Sequence, residues 1–303
     1  MKILFIDKTH SYLKDELEKL NYKCDTCYKL SKVAIEQKIH KYHGVILRSR
    51  IKIDKQFINK AINLKFIARA GSGLENIDTK YAEEKNIKCY NAAEGNRQAV
   101  AEHALGMILS LFNNLNIANQ EVRNGIWNRE KNRGIEISGK TIGIIGYGNN
   151  GSALANLLEG FKVNILTYDK YLKSYKYSST MQDIFEKADI LSLHIPLTEE
   201  THYLIDNTYI NKFKKPIYII NTARGKCIKT SDLIKNLKSG KVKGACLDVL
   251  EDENTSFETL EIKTHFNYLT QNKNIILSPH IAGWTKESKR KIAEILLKKI
   301  NNN

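Results

Sequence analysis

The stretch from Lys140 to Asp169 constrains the fold more than any other part of the chain. Thr141 to Ile145 is short, apolar and β-branched, which suits a strand buried on both faces. Gly146-Tyr147-Gly148-Asn149-Asn150-Gly151 follows as a G-x-G-x-x-G loop. Ser152 to Glu159 then carries Ala and Leu at helical spacing until Gly160, and Val163 to Tyr168 reads as a second strand. The glycines have separate tasks: Gly146 permits the tight turn, Gly148 lets a pyrophosphate approach, and Gly151 packs helix closely on strand. Phosphates would rest on the free N–H groups of the helix N-terminus, where the dipole favours negative charge. Asp169, eighteen residues after Gly151, stands where a carboxylate meets an adenosine ribose and repels a 2′-phosphate. NAD is therefore expected over NADP. A glycine turn alone carries little; strand, loop, helix, strand and acid in order specify a dinucleotide site.

A length of 303 residues allows about two domains with large cores. No apolar run reaches membrane-spanning length, and MKILFIDKTHS is charged too early for a signal peptide, so a soluble cytoplasmic protein is expected. The net charge of +15 is spread along the chain among many Asn and Ile, and no segment concentrates it as a nucleic-acid surface would. The positive field still favours an anionic substrate. Cys24, Cys27, Cys89, Cys227 and Cys246 form no disulfide framework, and Cys24-x-x-Cys27 has no second pair or ligand cluster, so no metal is expected.

Strands are read at Lys2 to Ile6, Val45 to Leu47, Lys65 to Arg69 and Lys88 to Tyr90, separated by helices at Tyr12 to Leu20, from Ser31 toward Lys41, from Asp54, and at Thr79 to Lys85. Gln98 to Leu115 is a long, mostly apolar helix bridging into the next domain; its Glu102 and His103 are read as buried structural groups rather than a catalytic pair. After the dinucleotide stretch, strands at Ile190 to Leu193, Ile217 to Ile220, Ala245 to Val249 and Ile275 to Leu277 each end in polar residues. Doubly wound sheets place ligands at those carboxyl ends. Thr285 to Ile300 is a basic amphipathic helix expected to return to the first domain. The expected architecture is α/β: two doubly wound parallel-sheet domains, a Rossmann nucleotide domain (98–280) inserted into a flavodoxin-like substrate domain (1–97 and 281–303).

Hydride transfer at such a loop needs a proton acceptor, a group that tunes it, and a cation for an anionic substrate. Arg224, Glu253 and His280 follow three successive sheet elements and offer all three. Each has a structural alternative: a surface arginine, a loop glutamate beside Glu251 and Asp252, a capping histidine. Spacing alone does not choose between them.

The motifs VILRSR, ARAGSGLENID, GNRQAVAEHALGM, GKTIGIIGYGNNG, LHIPLT, NTARG, LDVLEDE and SPHIAGWT, in that order, resemble the D-isomer-specific 2-hydroxyacid dehydrogenases, most closely D-3-phosphoglycerate dehydrogenases. The resemblance implies NAD-dependent oxidation of D-3-phosphoglycerate to 3-phosphohydroxypyruvate, the first step of serine biosynthesis. It implies Arg224 as the arginine orienting the substrate, Glu253 as the partner of the catalytic histidine and His280 as that histidine. Asp248 would bond the nicotinamide carboxamide, with Gly283 nearby. Asn149 and Asn150 would occupy the pyrophosphate turn. His194, Ile195, Pro196 and Thr201 would line the adenosine side, and Thr222 and Ala223 the nicotinamide ribose. Backbone N–H groups of Gly71, Ser72 and Gly73 would hold the substrate carboxylate. Arg48 and Arg50 would take a phosphate, and Arg129 would approach the site.

Four features depart from the family pattern, the first being Asn150 in place of a common aliphatic residue or Met. Asn254 replaces a proline and is expected to loosen the turn presenting Glu253; Trp284 replaces a small residue beside the nicotinamide; Thr255 to Asn272 reads as a polar, irregular insertion. The chain ends soon after His280, so no ACT regulatory domain is expected. The family implies a homodimer joined through the nucleotide domain. Alternatives within this reading are another hydroxyacid (glycerate, glyoxylate or lactate) or a non-catalytic NAD(H)-sensing protein on the same fold.

Overall fold

The computed structural model describes residues 1–254, 259–261 and 264–302. The chain divides into two compact units: Met1–Arg97, Asn254–Thr259 and Trp284–Asn303 form the first, Gln98–Glu253 and Leu260–Gly283 the second.

The first unit is built on five strands, β1 (Lys2–Phe5), β2 (Lys23–Thr26), β3 (Gly44–Leu47), β4 (Phe66–Arg69) and β5 (Lys88–Tyr90). They form one parallel sheet in the order β2-β1-β3-β4-β5. Side chains alternate across a strand, so Ile3 and Phe5 join Ile46, Phe66 and Ala68 on one face, while Leu4 and Ile6 join Val45, Leu47 and Ile67 on the other. The first face is covered by the helices Ser11–Lys19 and Lys286–Asn301, which bury Leu13, Leu17, Ala293, Leu296 and Ile300 there. The C-terminal helix thus packs against the N-terminal strands. Thr285 and Ser288 close it with a capping box.

The second unit contains β6 (Thr141–Ile145), β7 (Asn164–Tyr168), β8 (Ile190–Leu193), β9 (Ile217–Asn221), β10 (Val242–Leu247) and β11 (Ile275–Leu277). These form a parallel sheet ordered β11-β10-β9-β8-β6-β7. Ile142 and Ile144 pack under the helices Arg97–Phe112 and Asn149–Leu158, while Ile145, Leu191 and Leu193 face Ile184, Phe213 and Leu233. The strand order reverses at β6, and such switch points open a ligand crevice at the carboxyl ends of the strands. Both sheets are doubly wound, as expected.

The structure differs from the sequence reading at several elements. β2 escapes a hydrophobic reading because it is a polar edge strand, Lys-Cys-Asp-Thr, three of whose residues are exposed. The helix capped by Ser31 stops at Glu36 and a separate turn spans Ile39–Lys41. The long helix ends at Phe112; Asn114, with φ 52°, breaks it, and a second helix runs over Leu115–Arg123. Part of the expected insertion is an ordered helix, Thr264–Gln271, with Leu269 buried; positions 255–258 and 262–263 of that insertion lie outside the described residues. No described helix is long and apolar enough to cross a membrane.

Candidate active site

The glycine loop leaves β6 through Gly146, whose φ of 91° and 2.4 Å separation between an added Cβ and the His194 carbonyl both demand glycine. At Gly151 a Cβ would sit 1.9 Å from the Gly146 carbonyl. Gly148 is different. It caps the helix Asn149–Leu158 at φ −72°, ψ −154°, is exposed, and a Cβ there would meet nothing within 4 Å. Open space thus lies above the helix N-terminus where phosphates gain from free N–H groups. Asp169 leaves β7 beside this loop, its carboxylate accepting from Tyr147 N (2.8 Å), Tyr171 N (2.9 Å) and Leu172 N (3.2 Å).

Three shielded polar atoms at successive strand ends have no hydrogen-bond partner among the described residues: Asn150 Oδ1 after β6, His194 Nδ1 after β8 and Thr222 Oγ1 after β9. Such orphans are rare in folded chains. They border the switch point, so a bound dinucleotide fits here by supplying what they lack. Burial pushes the His194 pKa down to about 4, so this ring is neutral, its Nε2 2.9 Å from Ser192 Oγ. Ile195 and Pro196 follow it, and Thr201 donates to the Pro196 carbonyl at 2.6 Å, closing the turn rather than facing a ligand freely. Ala223 is buried, its N–H held by Asn221 Oδ1.

The loops after β9, β10 and β11 carry the three residues expected to do the chemistry. Arg224 follows β9, with Asn221 Nδ2 donating to its carbonyl at 3.0 Å. The neighbouring Gly225 lets the β10 loop approach: a Cβ there would lie 1.9 Å from the Leu250 carbonyl. Glu253 ends that loop. Its Oε1 accepts from Leu250 N at 2.5 Å and its Oε2 lies 2.6 Å from His280 Nδ1. The glutamate side chain therefore closes its own turn, and the N–H of the following Asn254 donates to the Thr259 carbonyl at 3.1 Å. His280 and Glu253 are 25% and 15% exposed, accessible but mostly out of water. His280 has φ 54° and donates its N–H to the Asp248 carbonyl at 2.7 Å.

Asp248 is 1% exposed. Burial alone would raise its carboxyl, yet hydrogen bonds from His103, Ser278 and the Ala282 and Ile281 N–H groups hold it below the usual carboxylate range. Ser278 Oγ donates at 2.6 Å, Ile281 N at 2.8 Å and Ala282 N at 2.9 Å. Most of its capacity is spent inside the loop that runs on to Gly283.

In the first unit, the ends of β1, β2 and β3 enclose a cavity of about 760 Å³ lined by Lys8, Lys29, Arg48, Asp7 and Tyr28 among others. The Arg48 guanidinium lies 3.9 Å from the Trp284 ring centroid, and Lys289 Nζ is 4.3 Å from the same centroid. Arg50, expected as a second phosphate cation, is occupied within the fold. Its Nε donates to Asp7 (2.9 Å), Nη1 to the Leu30 carbonyl (2.7 Å), and Nη2 to the Ile6 (2.9 Å) and Cys27 (3.3 Å) carbonyls. The guanidinium ties the ends of β1 and β2 together. Among Gly71, Ser72 and Gly73, the Gly71 N–H already donates to the Arg69 carbonyl at 2.9 Å and Ser72 Oγ to Asn96 Oδ1 at 2.7 Å. Arg129 is exposed in the second unit.

The family model for the D-isomer specific 2-hydroxyacid dehydrogenase NAD binding domain matches residues 105–282. The chain belongs to that family. It is 31% identical over its whole length to a D-3-phosphoglycerate dehydrogenase of Archaeoglobus fulgidus, of which it spans 57%. It is 37% identical over 84% of its length to a hydroxypyruvate reductase of Thermotoga maritima, covering 83% of that protein. The chain spans about half the length of the D-3-phosphoglycerate dehydrogenases it matches. Among solved structures, the Aquifex aeolicus D-lactate dehydrogenase complexed with NAD and lactic acid superposes with a TM-score of 0.84 at 26% identity, covering 99% of this chain and 94% of that one.

Two polar residues near these sites escaped the sequence reading, and a third, His103, had been read there only as a buried structural group. Lys8 and Lys29 join Arg48 around the cavity; the available signal was their position just past β1 and β2. His103 reaches Ser278 Oγ at 2.9 Å and Asp248 Oδ1 at 3.5 Å. Its side chain is 24% exposed, and its neighbour Glu102 is exposed and accepts from Gln98 along their own helix, so neither is the buried group expected.

Proposed function

We propose that the protein is an NAD-dependent 2-hydroxyacid dehydrogenase interconverting D-3-phosphoglycerate and 3-phosphohydroxypyruvate, an entry to serine. The 2.6 Å contact between His280 Nδ1 and Glu253 Oε2 carries the reading. With Glu253 a carboxylate, His280 donates from Nδ1 and keeps its lone pair on Nε2. In oxidation Nε2 takes the proton of the substrate C2 hydroxyl, and in reduction it returns that proton; Glu253 stabilises the imidazolium in between. The planar fork of Arg224 suits the substrate carboxylate and developing keto oxygen. NAD, when bound by the Gly146–Gly151 loop, Asp169 and the polar strand ends, supplies the acceptor for the C2 hydride.

The cavity with Lys8, Lys29 and Arg48 supports a phosphorylated substrate, since three cations surround one carboxylate, Asp7, that Arg50 already pairs. Under this proposal the first unit is the substrate domain and the second the nucleotide domain. The similarity to the Thermotoga maritima hydroxypyruvate reductase favours a second reading, an unphosphorylated 2-keto acid. A homodimer is supported by the helix Leu115–Arg123, which buries none of its residues and leads into Ile126 and Trp127, 49% and 79% exposed. None of the five cysteines is joined in a disulfide, which fits a cytoplasmic home.

Following NADH at neutral pH across 3-phosphohydroxypyruvate, hydroxypyruvate, glyoxylate and pyruvate tests the substrate. Arg48→Ala should raise KM for the phosphorylated acid by about tenfold and leave the others nearly unchanged, the loss of about one charge-assisted contact. His280→Ala should lower turnover about a hundredfold or more. Undiminished turnover in that variant rejects the assignment.

A further inference from the structure

His280 sits in the left-handed backbone region, which side chains other than glycine seldom occupy and which persists only where the surroundings impose it. Here the imposing group is Asp248. Its carbonyl takes the His280 N–H, its Oδ1 the Ile281 N–H and its Oδ2 the Ala282 N–H, so three consecutive peptide donors end on one residue. Buried as it is, Asp248 has little water to replace a lost partner, and its orientation must come from side chains.

Ser278 Oγ donates to Asp248 Oδ1 at 2.6 Å. A hydroxyl has a single hydrogen. With that hydrogen committed to Asp248, Ser278 accepts from His103 Nε2 at 2.9 Å, which places the His103 proton on Nε2. The same nitrogen lies 3.5 Å from Asp248 Oδ1. His103 comes from the helix Arg97–Phe112, anchored by buried Ala104, Met107 and Ile108, and lies 175 positions before Ser278. Its side chain is 24% exposed, so it is not there to fill a core.

We propose that His103 is a positioning residue for His280: through Ser278 and the Asp248 carboxylate it fixes the left-handed turn that aims the imidazole at Glu253. This rests on the reading of His280 as the acid–base group. His103 would touch neither substrate nor reacting atoms. Its contribution is rigidity in a loop whose misplacement by about 1 Å can cost about a hundredfold in rate.

The test uses the full chain with saturating NADH. His103→Ala should lower kcat by about tenfold or more while the NADH Kd moves less than about twofold, the pattern of a lost orientation rather than lost binding. His103→Gln, whose amide N–H can reach Ser278, should recover most of the rate. Hydrogen exchange should quicken over residues 278–283 in His103→Ala and stay unchanged over β6. A kcat within about twofold of the parent overturns the proposal, as does a parallel fall of NADH affinity and kcat. Should His103→Ala fail to fold, Ser278→Ala removes one hydroxyl and carries the same expectations. Failure of the acid–base reading itself shows separately, as turnover that survives in His280→Ala; the exchange comparison at 278–283 then decides the positioning claim alone.

Discussion

Gly148→Ala separates ligand binding from folding. The residue caps its helix with φ −72° and ψ −154°, a conformation alanine adopts, and an added Cβ meets no protein atom within 4 Å. Alanine is a poorer cap than glycine by about 0.5–1 kcal/mol. The lost chain freedom of the unfolded state returns about 0.4–1 kcal/mol. Net stability should therefore change by less than about 0.5 kcal/mol, or about 1–2 °C in Tm. Binding should change far more, because the methyl occupies the space through which a pyrophosphate reaches the helix N–H groups. Loss of one charge-assisted contact costs about 1.5–3 kcal/mol, or about ten- to a hundredfold in Kd. Gly151→Ala should do the reverse kind of damage: its Cβ would lie 1.9 Å from the Gly146 carbonyl, so the loop must shift and Tm fall through overpacking of about 1–3 kcal/mol. NADH fluorescence titration beside thermal melts reads both quantities. If Gly148→Ala binds NADH as tightly as the parent, phosphates do not lie over this glycine and the cofactor placement is wrong.

Two further outcomes follow from single residues. The folded-state pKa of His194, about 4, lies below its unfolded value near 6.5, so between these limits the unfolded chain binds more protons and stability falls as pH falls. The loss should reach about 1.6 kcal/mol from pH 6.5 to 5 and be much reduced in His194→Gln, by denaturant titration across that range; equal slopes in parent and variant would contradict it. Val122, 52% exposed, can be changed to Asp at little cost to the fold, and light scattering should then show a monomer in place of a dimer. A parent chain already monomeric removes the dimer proposal.

Ile190–Leu193 and Ile275–Leu277 were legible residue for residue because buried parallel strands announce themselves as short apolar runs between turn residues. The 2.6 Å contact of His280 with Glu253 brings together two residues already singled out as proton-handling groups. Missed elements share a property: their reason for existing lies elsewhere in the chain. β2 is polar and stands only by pairing with β1, and the helix Thr264–Gln271 has no strong apolar stripe beyond Leu269.

By itself, then, the amino-acid order specified the parallel α/β architecture and the dinucleotide loop, because periodicity and glycine spacing are local, whereas Arg224, Glu253 and His280 were singled out through the resemblance of their motifs to a known family. Only the tertiary structure decided which cation is spent and which histidine is coupled. Arg50 is occupied by acceptors twenty or more positions away, and His103 meets Ser278 across 175. A hydrogen bond depends on where its partner is in space, and that position is a consequence of packing rather than of neighbouring residues.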